Sequence, residues 1–276
     1  MSSSLWTRDD DRAAVSLLRA VEEDDLAGAL LAVEGASLDR ELRVRALLDA
    51  WGQRVASARS GSGPEEALGA LTSVLVGELG LVGAGESYDT PANSHLSEVV
   101  DSRHGLPILV TAVWSLVGAA AGIPVEGVGM PFHFIARIGG EGGLLVDPFA
   151  GGSVLSQDDC AALVTRFSQG QVDWDPDFLT TSGTQDTVER VLRNLMNTYS
   201  HRGDLGALYR VVGLTVALCP DEPHYHLAQA RMAELMGHPN VATRLYTDLL
   251  QGFEGSEEAE LAAAHLVALH PADLTN

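Results

Sequence analysis

The stretch Arg103-His104-Gly105-Leu106-Pro107 opens a segment, Gly105 to Val125, that contains no charged residue. An uncharged segment of this length is typical either of a transmembrane helix or of the most deeply buried part of a globular core. Four residues that end or interrupt helices lie within it: Pro107, Gly118, Gly122 and Pro124. Because basic residues also do not concentrate beside either end, we predict a buried helix from Pro107 to Ala121, a strand from Val125, and no membrane span.

The composition favours a folded, acidic protein. The chain has 276 residues, of which 46% are hydrophobic, and a formal net charge of -21 at pH 7. This length allows one large or two ordinary domains. Nucleic acids and anionic membranes attract clustered positive charge, so neither is an expected partner. Cys160 and Cys219 form no CxxC pair, so neither a disulfide framework nor a zinc ribbon is predicted, and no cofactor is expected.

The N-terminal sequence differs from that of a secretory signal. Met1-Ser2-Ser3-Ser4-Leu5-Trp6 runs into Asp9-Asp10-Asp11 without a basic region followed by an apolar one. We therefore expect a cytoplasmic protein. The oligomeric state is left open by the sequence.

Helical periodicity dominates residues 1–85, which we predict to be a helical N-terminal section. One helix is expected over Leu38 to Ala58, and another begins at Pro64, a residue tolerated in a first turn. Apolar residues at helical spacing are assigned to inner sides of these helices, among them Val15, Leu17, Leu18, Leu42, Leu47, Leu48 and Trp51. A loop around Tyr88 then leads to a short helix that Asn93 or Ser94 could cap.

The sequence period changes after the uncharged segment. Three strands are predicted: Val125 to Gly129, Phe132 to Ile138 and Leu144 to Asp147. Gly139-Gly140-Glu141-Gly142-Gly143 is the expected hairpin turn between the last two strands. Ser156 and Asp159 resemble a capping box that opens a helix through Phe167. The buried helix and the antiparallel strands together predict an α+β core over residues 86–175.

Residues 184–276 are predicted to form helical repeats. Gly203 and Gly237 lie 34 residues apart, and Pro220 follows the second helix of the first pair. A period of 34 residues, with a glycine between paired helices, is the tetratricopeptide spacing. Stacked helix pairs expose a continuous groove, so this segment is a candidate docking surface.

His133 and Asp147 are the candidate catalytic pair. They lie on neighbouring predicted strands, where a carboxylate can orient an imidazole that acts as a general base. Such a base activates a thiol at the N-terminus of the preceding helix, where the helix dipole lowers the thiol pKa. That position is occupied by Pro107. A structural hydrogen bond between strands is the alternative reading of the pair.

Several segments, taken in order, resemble the transglutaminase-like core of the papain-like superfamily. They are Gly105-x-Pro107, Gly122-Ile123-Pro124, Pro131-Phe132-His133-Phe134 and Val146-Asp147-Pro148. Over residues 40 to 250 the chain is more narrowly similar to the bacterial SirB-type proteins, which join such a core to tetratricopeptide-like repeats. The resemblance implies that His133 corresponds to the general base of such a site and that Asp147 corresponds to the carboxylate that orients it. It also implies that the nucleophilic cysteine is replaced, here by Pro107, as is common in the SirB-type branch.

Residues around the predicted buried helix form the candidate ligand-binding set. They are Asn93, His95, Glu98, Arg103, His104, Pro107 and Phe132. The spacing of His95, His104 and His133 matches no zinc signature, so no metal site is predicted. Cys160 follows two aspartates within a helix, and their charges disfavour a thiolate there.

Three functions follow from these residues. The first is a degenerate, non-catalytic transglutaminase-like protein that binds a protein, peptide or small-molecule ligand through its cleft and repeats. The second is a thiol-independent enzyme that uses His133 and Asp147 for acyl transfer, hydrolysis or cyclisation, for example in specialised metabolism. The third is an assembly scaffold in which neither residue is needed.

Overall fold

The computed structural model describes residues 5–85 and 90–269. The helices are α1 (Arg8–Glu22), α2 (Leu26–Glu34), α3 (Leu38–Ala58), α4 (Pro64–Leu71), α5 (Leu96–Ser102), α6 (Pro107–Ala120), α7 (Gln157–Phe167), α8 (Thr184–Arg202), α9 (Leu205–Leu218), α10 (Pro223–Leu235), α11 (Pro239–Gly252) and α12 (Glu257–Leu269). The strands are β1 (Val82–Gly83), β2 (His104–Gly105), β3 (Val125–Val128), β4 (Ile135–Ile138), β5 (Leu144–Asp147), β6 (Ser153–Leu155) and β7 (Thr181–Ser182). A π-helical segment, Thr72–Glu78, continues α4, and 3-10 turns lie at Pro91–Ser94 and Pro176–Leu179.

Helix α6 is the buried centre of the core. Ten of its 14 residues are buried, and it packs against α3 and against strands β3 and β4. Small residues allow this close packing. A Cβ atom on Gly52 of α3 would lie 2.4 Å from the Cβ of Ala120, and one on Gly118 would lie 2.5 Å from Cγ2 of Val125. Within residues 5–85 and 90–269, no helix is both long enough and apolar enough to cross a membrane.

Five strands form an antiparallel sheet in the order β6-β5-β4-β3-β7. Helix α6 packs on one face, called the α6 face. Helix α7 packs on the other, called the α7 face, where Cys160 and Val164 join Val128 and Ile135 in one apolar cluster. Side chains alternate between the two faces along a strand. Asp147 is therefore on the α7 face, since Leu145 of the same strand packs against that cluster.

The main predictions for the core are confirmed. Helix α3 spans the predicted residues, α6 begins at Pro107 as predicted, and β5 has the predicted bounds. The predicted capping box of α7 is present: the Ser156 hydroxyl accepts from the Asp159 N–H, and the Asp159 carboxylate accepts from the Ser156 N–H. The chain is an α+β protein in which a buried helix packs on an antiparallel sheet, with helical segments before and after this core.

Two predictions for the loops near this core are wrong. Strand β4 begins at Ile135 rather than at Phe132, because Phe132 has a φ of 64° and cannot continue an extended strand. Neither Asn93 nor Ser94 caps the short helix α5, because both lie in a 3-10 turn and His95 occupies the cap position. Three apolar residues assigned to inner helix faces are exposed: Val15, Leu18 and Leu42.

The chain divides into two compact units. Among the residues that the structure describes, one unit lies within Arg19–Val191 and holds the sheet with its helices, and the other combines residues 5–18 with residues 192–269. The second unit has its own apolar core, to which Tyr209, Met232 and Tyr246 contribute. The predicted domain boundaries and the tetratricopeptide assignment of residues 184–276 stay predictions. The predicted loop around Tyr88, the first four residues and the residues after Leu269 lie outside the described residues.

Glu34, the last residue of α2, links that helix to α5. Its carboxylate accepts hydrogen bonds from the backbone N–H and the hydroxyl of Ser97, at 3.3 and 3.0 Å. Burial raises the pKa of Glu34 to about 7, with a small further contribution from Glu98, while Ser97 and Arg40 act in the opposite direction. The carboxyl group therefore holds its proton more tightly in the folded chain than in the unfolded one.

We expect the substitution Glu34→Gln to remove part of the pH dependence of stability. Between the ordinary pKa of 4.5 and the folded pKa of about 7, the folded state holds a proton that the unfolded state has lost, so the free energy of unfolding falls as pH rises. Glutamine carries no charge, its amide oxygen can accept from the Ser97 N–H, and its NH2 group can donate to the Ser97 hydroxyl oxygen. The variant should therefore match the parent near pH 4 and exceed it near pH 8, by up to about 3 kcal/mol.

Urea unfolding at the two pH values measures this difference. Glu65→Gln is the matched control, because Glu65 is an exposed residue in the first turn of α4. An unfolding free energy at high pH that is lower in Glu34→Gln than in the parent chain would contradict the prediction.

Candidate functional site

His133 and Asp147 form a buried, hydrogen-bonded pair. His133 precedes β4, and Asp147 is the last residue of β5. Nε2 of the imidazole lies 2.9 Å from Oδ2 of the carboxylate, so Nε2 carries the hydrogen that is donated. The other carboxylate oxygen, Oδ1, accepts from the backbone N–H of Ala150 at 3.2 Å. Because both oxygens are held, the carboxylate fixes the orientation of the imidazole.

Two phenylalanine rings cover the imidazole. Phe167, the last residue of α7, stacks on it with ring centres 5.5 Å apart and an interplanar angle of 29°. Phe149 meets it edge-on, with ring centres 6.1 Å apart and an angle of 89°. Only 6% of the His133 side chain and 8% of the Asp147 side chain are exposed. A ligand would therefore have to displace an aromatic side chain to reach the imidazole.

Contacts connect this enclosure to the N-terminus of α6. Strands β1 and β2 pair in parallel, which places Gly83 opposite Gly105, two residues before Pro107. Phe149 packs directly on Gly83, where an added Cβ atom would lie 2.4 Å from the ring. The phenylalanine thus touches both the backbone beside the start of α6 and the imidazole.

Two of the predicted ligand-binding residues pack against α3. Glu98 lies 3.3 Å from Arg40 in an ion pair, and the guanidinium of Arg103 lies 4.4 Å from the centre of a Trp51 ring. Both partners belong to α3. These contacts connect α5 and the residue after it to that helix, and the predicted role of Glu98 and Arg103 in ligand binding stays a prediction.

The other predicted ligand-binding residues differ in exposure. Asn93 and Pro107 are buried, and the carbonyl of Asn93 accepts from the N–H of Leu106 at 3.0 Å, next to the start of α6. His95 is half-buried, and His104 is exposed. The Phe132 side chain is 59% exposed, and its backbone has a positive φ. A role for these residues in ligand binding stays a prediction.

Cys160 is poorly placed to supply a nucleophile. It is fully buried in the apolar cluster on the α7 face. Burial raises the pKa of its thiol to about 11, with Asp159 and Asp147 acting in the same direction. Thiolate formation is therefore disfavoured. In the described part of the chain, no three His, Cys, Asp or Glu side chains are grouped so that they could hold a metal ion.

Reasoning from the sequence missed Phe149 and Phe167 as parts of the site. Phe149 lies two residues after Asp147, so its nearness could have been read from the chain. Phe167 reaches the imidazole because α7 returns across the sheet, and no local pattern signals that contact.

Comparison with known proteins assigns the chain to a family. The family model described as transglutaminase-like superfamily matches residues 42–193. A UPF0162 protein of Xylella fastidiosa (strain 9a5c) is 30% identical over 207 residues, which are 73% of this chain and 73% of that protein. The UPF0162 protein of Vibrio cholerae is 21% identical over 201 residues, 72% of this chain and 74% of its own. Human F-box only protein 21 is 26% identical over 184 residues, 60% of this chain but 28% of that protein.

No solved structure matches the chain. The matched residues 42–193 make up more than half of the chain and contain α6, the sheet, His133 and Asp147. The chain therefore belongs to the transglutaminase-like superfamily.

Proposed function

We propose that the chain is a non-catalytic transglutaminase-like protein that binds a protein, peptide or small-molecule ligand. The observation that carries the proposal is the enclosure of the His133 imidazole by Asp147, Phe149 and Phe167, which leaves 6% of its side chain exposed. Acyl transfer needs an accessible base beside a nucleophile. Pro107, which in the SirB-type resemblance takes the place of the cysteine, has no nucleophilic atom.

In this proposal the His133–Asp147 pair is a structural link. It ties the loop before β4 to the end of β5, and its imidazole supports Phe167 of α7. A buried carboxylate is costly unless hydrogen-bond donors surround it. The imidazole and the Ala150 N–H supply those donors. The pair therefore stabilises the core without taking part in chemistry.

Phe132 supports a binding role for the surface beside the pair. It is a large apolar residue, 59% exposed, in a left-handed backbone conformation that bulky residues seldom adopt. Such strain persists where the surrounding structure enforces it, commonly at ligand sites. We assign ligand contact to Phe132 and to the exposed His104 near the start of α6. The C-terminal helices, taken as tetratricopeptide-like repeats of a cytoplasmic SirB-type protein, are the second proposed binding surface.

A thiol-independent enzyme is the second candidate function. It is favoured by the 2.9 Å bond between His133 and Asp147, which orients the imidazole as a general base requires. In this case Phe167, which is 42% exposed, would have to move away from the ring before a substrate could approach. The two candidates therefore differ in whether the imidazole becomes accessible.

We expect the two members of the pair to depend on each other for stability. His133→Ala should lower the free energy of unfolding by roughly 3 kcal/mol, because it leaves a buried carboxylate with one donor lost. Asp147→Ala and the double variant complete a double-mutant cycle, and the double variant should lose less than the sum of the single losses. Urea unfolding gives the four values. His104→Ala, at an exposed site, is the control, and strictly additive effects would argue against a structural link.

We expect diethyl pyrocarbonate to modify His133 about tenfold more slowly than the exposed His104, because modification of a buried ring requires local opening. Peptide mass spectrometry measures both rates in one sample. Phe167→Ala should accelerate modification at His133 and leave His104 unchanged. Equal rates at the two histidines in the parent chain would show that the enclosure does not hold in solution.

Turnover assays separate the two candidate functions. The parent chain, His133→Gln and the control His201→Gln, at an exposed position of α8, are incubated with a glutamine-containing peptide and a primary amine, and with a nitrophenyl ester. We expect the same background release of ammonia and of nitrophenol from all three. Activity of the parent chain that is lost in His133→Gln and kept in His201→Gln would overturn the non-catalytic proposal.

A further inference from the structure

A separate cleft opens on the α7 face of the sheet. Its volume is about 790 Å³, and its lining includes neither His133 nor Asp147. Four lining side chains stand in one row across strands β3 to β6, each directly opposite the next: Glu126, Arg137, Leu145 and Leu155. The row therefore has one charged half and one apolar half, within a volume typical of small-molecule sites.

The charged half of the row is open to a ligand. Arg137 donates from Nη2 to the carbonyl oxygen of Leu179 at 2.7 Å, which anchors the guanidinium and leaves its other donors available. Glu126 and Arg137 are cross-strand partners, yet within the described part of the chain they form no ion pair with each other. Glu141, on the hairpin, adds a second carboxylate to the lining. One guanidinium and two carboxylates thus face the same volume.

We propose that this cleft binds a small zwitterion with an apolar substituent, namely an α-amino acid. The ligand carboxylate pairs with Arg137, the ammonium group pairs with Glu126, and the substituent packs on Leu145 and Leu155. Directly opposite residues have Cβ atoms about 5 Å apart, which suits two charges separated by a single carbon atom. Charge-assisted hydrogen bonds of this kind are the strong ones.

The lining also predicts which of the two charged groups of the ligand contributes more to binding. Two carboxylates against one guanidinium leave a net negative charge, so the ammonium group should contribute more to binding than the carboxylate. This site goes beyond the proposed function, because it is separate from the start of α6 and does not require His133 to be inactive. If the cleft binds no amino acid, the non-catalytic proposal is unaffected, because the turnover assays test it separately.

Titration of the full-length, isotope-labelled chain, followed by amide chemical shifts, tests the proposal. The probes are L-leucine, L-leucinamide, which lacks the carboxylate, N-acetyl-L-leucine, which lacks the ammonium group, and glycine, which lacks the substituent. L-leucine should cause saturable shifts at Arg137, Leu145 and Leu155 in the millimolar range or below. Leucinamide should bind a few-fold more weakly, and N-acetyl-L-leucine and glycine about tenfold more weakly or not at all.

Glu126→Gln changes one charge with little change in shape. It should weaken L-leucine binding by about tenfold, and it should not weaken binding of the anion N-acetyl-L-leucine, which has no ammonium group to pair with Glu126. Asp49→Asn, which removes an exposed carboxylate on α3 outside the cleft, is the matched control and should bind as the parent does. No saturable shift in the cleft with L-leucine, equal binding of the acetylated probe, or unchanged binding by Glu126→Gln would each overturn the proposal.

Discussion

The burial of α6 between α3 and the five-stranded sheet is the constraint on which the rest of the core depends. From Gly105 to Val125 there is no charged residue, so this helix has no polar face to present to water and needs cover on several sides. Gly52 allows α3 to approach it closely, and Gly118 allows β3 to do so. This packing positions the sheet, and the strands of the sheet in turn position the functional side chains.

In the proposed function, the His133–Asp147 pair has the geometry of a catalytic site without its chemistry. A 2.9 Å bond between imidazole and carboxylate orients a general base equally well in an enzyme and in a structural link. What differs is the surroundings, since proton transfer needs a substrate atom within hydrogen-bond reach of the other ring nitrogen. Phe149 and Phe167 lie against the faces and edge of the imidazole ring, which leaves 6% of the His133 side chain exposed. Where the imidazole has no nucleophile beside it, covering the ring removes no catalytic activity. The cover also buries apolar surface, which stabilises the folded chain by about 25 cal/mol per Å².

The sequence predicted those features that depend on local patterns. The uncharged segment predicted α6, the capping box of Ser156 and Asp159 predicted the start of α7, and strand order brought His133 and Asp147 together. Contacts that depend on long-range packing were not predicted. Glu98 and Arg103 precede α6 in the sequence and pack on α3, which is far away along the chain. Their role in ligand binding stays a prediction.

The predicted strand start at Phe132 failed for a related reason. Its residue type favours a strand, but the turn that delivers His133 to Asp147 requires a positive φ one residue earlier. Tertiary packing therefore overrode a local preference at the point where the candidate site is built.

Helix α7 explains how one sheet face can hold an enclosed base and an open cleft. Its first residue, Gln157, lines the cleft, and its last residue, Phe167, covers the imidazole. With a rise of 1.5 Å per residue these two positions are about 15 Å apart along the helix axis. A small ligand in the cleft therefore has no need to contact His133. Because the same helix bounds both places, any coupling between an occupied cleft and the covered imidazole has to pass through the position of α7 on the sheet.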